Sequence, residues 1–176
     1  MPPYCCPDMI IHCSKKLAAK LPGVSPTLLE EASPLGSWHG HLFIVDHRQC
    51  AMFCHDATRY VLFLPGLRKE QFAVLGERWF RSLYLATLAI IGCNDTQLKK
   101  VELALGPVRF DKATDRSVQG SLRVARQDLE ALLYRVPNVL DLDPLAVSCD
   151  LNERPATMRG VWIRPEKAMR EVVAAL

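Results

Sequence analysis

The stretch SWHGHLFIVDHRQCAMFCHD, residues 37–56, holds four of the chain's five histidines and two of its seven cysteines. Imidazole, thiolate and carboxylate are all zinc ligands, and tetrahedral zinc needs three or four of them converging. If His47-Arg48 closes a two-residue hairpin, alternation places His39, His41, Cys54 and Asp56 on one face of two adjacent strands. Those four residues are the candidate metal site. A plain core reading competes with it, because Phe43, Val45 and Met52 fall on the same face and no CxxC or HExxH spacing is present. Cysteine nucleophile chemistry through Cys54 and His41 is the weaker alternative, since no neighbour marks an activated thiolate.

A second constellation lies at KATDRSVQGS, residues 112–121. Arg109, Lys112, Arg116, Ser117, Ser121 and Arg123 gather around an expected helix start. Free backbone N–H groups and the positive end of a helix dipole attract anions. These six residues are the candidate anion site, with a phosphate-bearing ligand or nucleic acid as the natural occupant. The bland alternative has Asp115 capping the helix and the arginines forming a solvated face. Asp141 and Asp143 in DLDP read as turn residues rather than a cation site. No GxxxxGK[ST] or GxGxxG occurs, which argues against the common nucleotide enzymes.

The elements that must position these residues follow from periodicity. Residues 9–13 alternate like a short strand. HLFIV (41–45), CAMFC (50–54) and RYVLFL (59–64) are rich in β-branched and aromatic residues, with breaks too short for parallel crossovers, so they predict an antiparallel meander ended by Pro65-Gly66. Phe72, Leu75, Trp79, Leu83, Ala86 and Ile90 form one helical stripe within 67–92. Residues 96–105 predict a short helix and 108–110 a strand end. Val118, Leu122, Ala125, Leu129 and Leu132 mark the clearest helix, 115–134. LAVSCDL (145–151) alternates like a strand, 153–160 reads as loop, and Pro165 opens a last helix.

The chain has 176 residues, 49% apolar, with formal net charge +3. That length supports a core without disulfides, and the weak positive charge falls short of a dedicated nucleic-acid binder. Seven cysteines cannot all pair internally, and the first residues lack the pattern of a secretory leader. The expectation is therefore a cytoplasmic protein with reduced thiols and no membrane partner. Residues 1–8 are expected to be a disordered extension, with Met1 or Met9 as alternative starts, and 9–176 a single α+β domain.

Four blocks in order, MIIHCSKKL (9–17), SWHGHLFIVDHRQ (37–49), TRYVLFLPGLRKEQF (58–72) and FDKATDRSVQGSL (110–122), resemble a bacterial family built on a domain of unknown function. Some of its members carry labels borrowed from plasmid reading frames. The resemblance implies a small bacterial domain and no established activity, so it carries no catalytic residue across.

The fold expected is α+β, a small antiparallel meander packed against two or more helices. Two functions stay open. One is a non-enzymatic binding or regulatory module for an anionic ligand or a protein partner. The other is a hydrolase acting on nucleic acid through His39 and the basic helix N-terminus at 109–123. No cofactor is expected beyond the candidate zinc.

Overall fold

Strand β1 (Met9–Cys13) is buried along its whole length, with Met9, Ile11 and Cys13 alternating against Ile10 and His12. The computed structural model describes residues 6–176, so most of the expected extension, 1–5, lies outside the described residues. Within the remainder, Cys6 Sγ donates to the Leu103 carbonyl at 2.9 Å and Asp8 pairs with Arg109. Ser14 caps the short helix α1 (Lys15–Ala18). A connection without regular structure then leads to the meander of β2 (Trp38–Val45), β3 (Arg48–His55) and β4 (Val61–Leu67).

The meander is antiparallel, as its short breaks require. Its first turn is Asp46-His47 rather than His47-Arg48. Both residues have positive φ, 48° and 60°, as a type I′ hairpin turn demands. Strand β4 runs past Pro65-Gly66 to Leu67, with a register shift opposite Gln49 and Ala51. It can do so because β4 is an edge strand, where the missing proline N–H forfeits no ladder bond.

The sheet order is β4-β3-β2-β1-β5, with β5 at Val108–Asp111. Residues 9–13 form the expected strand and join the sheet, where β1 lies parallel to both β2 and β5. The crossovers that parallel pairing needs are residues 14–37 on one side and the helical region before β5 on the other.

The stretch 67–92 is not one helix. It divides into α2 (Lys69–Phe72), a π-helical segment at Leu75–Phe80 and α3 (Arg81–Ile90). A π turn takes up extra residues, which rotates everything after it relative to an α-helical count. Phe72, Leu75 and Leu83 of the expected stripe are buried, Phe80, Tyr84 and Leu88 join them after the π segment, and Ile90 is left 62% exposed.

Helix α4 (Asp95–Ala104) starts with Asn94 as its cap, and α5 (Arg116–Leu133) buries Val118, Leu122, Ala125 and Leu129 as its periodicity requires. Residues 145–151 are not a strand but part of α6 (Pro144–Glu153), started by the Asp143 cap and a proline in the first turn. Two of its residues serve the sheet directly. Ser148 Oγ accepts the Phe63 N–H at 3.0 Å, while Asn152 accepts from the Val61 N–H and donates to the Val61 carbonyl. The helix thereby closes the open edge of β4 with side chains. Residues 153–160, expected as loop, contribute β6 (Ala156–Met158), which pairs with β7 (Val161–Ile163) ahead of α7 (Pro165–Ala174).

Helices cover both faces of the sheet. On one, Trp38 meets Phe80 and Tyr84 edge-on at 5.0 and 5.1 Å, within a core that takes in Ile11, Phe53, Val101 and Met169. On the other, Phe43, Met52, Cys54 and Phe63 pack against α5 and α6. No helix among the described residues is long and apolar enough to cross a membrane.

Candidate functional site

Strand register builds the site. His12 lies beside His39 on one side and beside Asp111 on the other. His39 faces Cys54, which faces Val61. Neighbours across a ladder share a face, so Asp111, His12, His39, Cys54 and Val61 form one row across all five strands, on the side covered by α5.

The polar half of this row carries two His–Asp hydrogen bonds. His12 donates Nδ1–H to Asp111 Oδ1 at 2.6 Å, and His39 donates Nδ1–H to Asp56 Oδ1 at 2.7 Å. A carboxylate at Nδ1 fixes the tautomer and leaves Nε2 as the free nitrogen of a neutral ring. His12 Nε2 lies 4.0 Å from Asp56 Oδ2, beyond hydrogen-bond distance, so the two His–Asp pairs are adjacent and not linked. His39 Nε2 is buried without a hydrogen-bond partner among the described residues.

Asp111 is fully buried and also accepts the N–H groups of Leu29 and Ala113. Burial pushes its carboxyl up, but the Leu29 amide, His12 and the Ala113 amide together outweigh that and hold it below the usual carboxylate range. Asp56 is held from the other side by Ser37, whose Oγ lies 2.9 Å from Asp56 Oδ2 and also contacts Glu31 Oε2. One hydroxyl carries one proton, so Ser37 donates to a single carboxylate at a time.

The turn after β3 places Arg59 beside this row. Its φ is 59°, unusual for a residue other than glycine, and it is buried. His55 holds the turn: Nε2–H donates to the Leu35 carbonyl at 2.7 Å, and Nδ1 accepts the Thr58 N–H. Burial pushes the His55 pKa down, so it serves as a neutral brace. Gly36 makes room for it, since a Cβ there would stand 2.6 Å from His55 Nε2. The Arg59 guanidinium donates to the Asp56 carbonyl and to Ser117 Oγ, the latter at 2.8 Å. It thus joins the histidine row to the first turn of α5.

Beyond Arg59 lies a groove of about 790 Å³ between α5 and the β6–β7 hairpin. Its walls include Arg59, Arg123, Arg154, Arg159, Ser117 and Trp162. Among the described residues that line it, Asp128 is the one carboxylate, and it is paired with Arg154. Gly120 also lines the groove, and a Cβ there would meet nothing within 4 Å. Close packing against the sheet is therefore not its role.

A model of the family described as a domain of unknown function, DUF6933, matches residues 10–168. The chain belongs to that family. No curated protein and no solved structure matches the chain.

The residues singled out from the sequence are distributed unevenly. Ser117, Ser121 and Arg123 line the groove. Arg109 lies on β5 in an ion pair with Asp8 at 3.1 Å, and Lys112 and Arg116 are exposed outside the groove lining. The amides at the start of α5 are occupied, because the Asp115 carboxylate accepts the N–H groups of Ser117 and Val118. The Val118 amide above all holds Asp115 below its ordinary pKa, and the Ser117 amide, His39 and Arg59 add to this.

Of the candidate metal ligands, His39 and Asp56 touch each other, and Cys54 faces His39. Burial pushes the Cys54 thiol up to about 12. His41 faces Met52 further along β2 and lies in a separate pocket with Arg126, which stacks on the Phe43 ring at 4.7 Å. Among the described residues no group of three or more His, Cys, Asp or Glu is arranged to hold a metal ion. Asp143 caps α6 and Asp141 accepts the Asn138 N–H, which gives both carboxylates local structural roles.

His12, Asp111 and Arg59 were missed in the sequence. The alternation in MIIHC could have put His12 on the face opposite Met9 and Ile11. Nothing local marks its partners.

Proposed function

We propose that the chain is a binding module for a phosphate-bearing ligand, held in the groove between α5 and the β6–β7 hairpin. The observation that carries this reading is the charge of the walls: four arginines against a single carboxylate, Asp128, which offsets Arg154 and leaves three uncompensated within the lining. The planar forks of guanidinium groups fit phosphate oxygens, and several converging on one groove attract a polyanion together. The reading keeps Ser117, Ser121 and Arg123 from the basic block and moves the site from the tip of α5 to its side. Calorimetric titration with inorganic tripolyphosphate tests it. Wild type should bind, and Arg123→Glu combined with Arg159→Glu should abolish binding at an unchanged melting temperature, since both side chains are exposed. Wild type without measurable heat, or a double variant that binds equally, contradicts the proposal.

A second reading has its own observation. Two histidines, each oriented by a carboxylate, stand side by side, and His39 Nε2 has no partner among the described residues. An imidazole oriented in this way is the equipment of a general acid or base, which a phosphate-ester hydrolase would use. Turnover of a chromogenic phosphodiester by wild type, lost in His39→Gln at an unchanged melting temperature, would support it. No turnover by wild type removes it and leaves the binding module.

A further inference from the structure

We infer that the ligand of the groove is a single-stranded nucleic acid whose bases stack on Trp162. This rests on the groove being a phosphate site and names what it takes. Trp162 is 73% exposed, whereas Trp38 is fully buried and Trp79 is half-buried against the core. It sits on β7 opposite Thr157, which also lines the groove. One side of the hairpin faces the groove arginines, and Trp162 also borders a shallow surface with Pro155, Ile163 and Arg164. Val124 across on α5 is 55% exposed and also lines the groove, so Trp162 is not the lone apolar surface within a basic wall.

Cations flanking an open indole match the alternation of phosphate and base along a strand. The arginines track the backbone while the indole takes the flat face of any base. A double helix keeps those faces inside its stack, so only an unpaired strand offers them. A peptide of Asp and Glu would satisfy the charges alone and carries no aromatic ring to stack on Trp162.

The test uses the full chain with a labelled oligothymidylate about ten nucleotides long, within the usual span of such sites. Inorganic polyphosphate and polyglutamate are the comparison polyanions. Trp162→Ala should weaken oligothymidylate binding about tenfold or more, as loss of one stacked base does. It should leave polyphosphate binding unchanged, and Trp162→Phe should recover most of the loss. Equal oligothymidylate binding by wild type and Trp162→Ala overturns the inference, as does polyglutamate binding as tightly as the oligonucleotide. If polyphosphate binds and the double arginine variant abolishes it while Trp162→Ala changes nothing, the phosphate groove stands and the stacking inference alone falls. If neither polyphosphate nor oligothymidylate binds wild type, both fall.

Discussion

His12 and His39 sit side by side across the parallel β1–β2 ladder, ring centroids 4.8 Å apart, and each donates its Nδ1–H to a different aspartate. Each aspartate thereby fixes the orientation of one ring. Asp111→Ala removes one carboxylate and strands the His12 Nδ1–H and the Leu29 and Ala113 amides in a buried place. The expected loss is about 3 kcal/mol or more, read from denaturant unfolding. Loss below about 1 kcal/mol would mean that water replaces Asp111 freely.

Stability should rise with pH on the acid side of neutrality. Burial lowers His55 from its ordinary value of 6.5, and burial with Arg126 and Lys16 lowers His41. Hydrogen bonds lower Asp111 from 3.8. At each group the unfolded chain binds protons more readily than the folded one, so stability is complete above the unfolded pKa and is lost as pH falls through the folded value. Unfolding midpoints should decline first as pH drops below about 6.5 through the histidines, then again below about 3.8 through Asp111. His55→Gln should flatten the first decline. An unchanged slope there would place the titration elsewhere.

Asn152 holds the free edge of β4, accepting from and donating to Val61 within a site that is 1% exposed. Asn152→Ala leaves both Val61 backbone groups without those bonds, and the expected loss is about 2–3 kcal/mol. Asn152→Asp keeps the acceptor and loses the donor. Amide exchange at Val61 should accelerate in the alanine variant. Unaltered exchange and stability would show that α6 covers the edge by packing alone.

Gly120 lies in the middle of α5 with open space where a Cβ would be. Gly120→Ala should stabilise the fold by about 0.5–1 kcal/mol through helix propensity. If a ligand approaches the helix backbone at this point, the added methyl should weaken its binding in the same protein. A destabilised Gly120→Ala would mean that the residue answers a packing need.

Short-range signals were well placed in the sequence and long-range ones were not. Asp115 as the cap of α5, and the Val118, Leu122, Ala125, Leu129 stripe, depend on neighbours a turn away. The hairpin was misplaced by one residue at its turn, which moved the pairing by two: His39 faces Cys54 instead of Asp56. A shift of two preserves the face of a strand, so His39, His41 and Cys54 still share one. Asp56 reaches His39 from just beyond the end of β3, where alternation no longer governs. Alternation misled at 145–151, where the Asp143-Pro144 start signal was the better guide. The π segment could not be read from apolar spacing, because it changes the count itself. His12 meets Asp111 across 99 residues, a pairing set by a parallel ladder that no local pattern encodes.

If the arginine-lined groove takes phosphates, single-strand binding weakens steeply as salt rises, because each bound phosphate releases counterions. Each neutralised phosphate of a single strand contributes about −0.7 to the slope of log affinity against log salt. Three to four contacts predict a slope of about −2 to −3, or roughly 20- to 50-fold weaker binding between 50 and 200 mM salt. Arg123→Glu should flatten that slope by about one contact or more. Affinity that is independent of salt, or a slope that Arg123→Glu leaves untouched, would show that the groove arginines hold no phosphate.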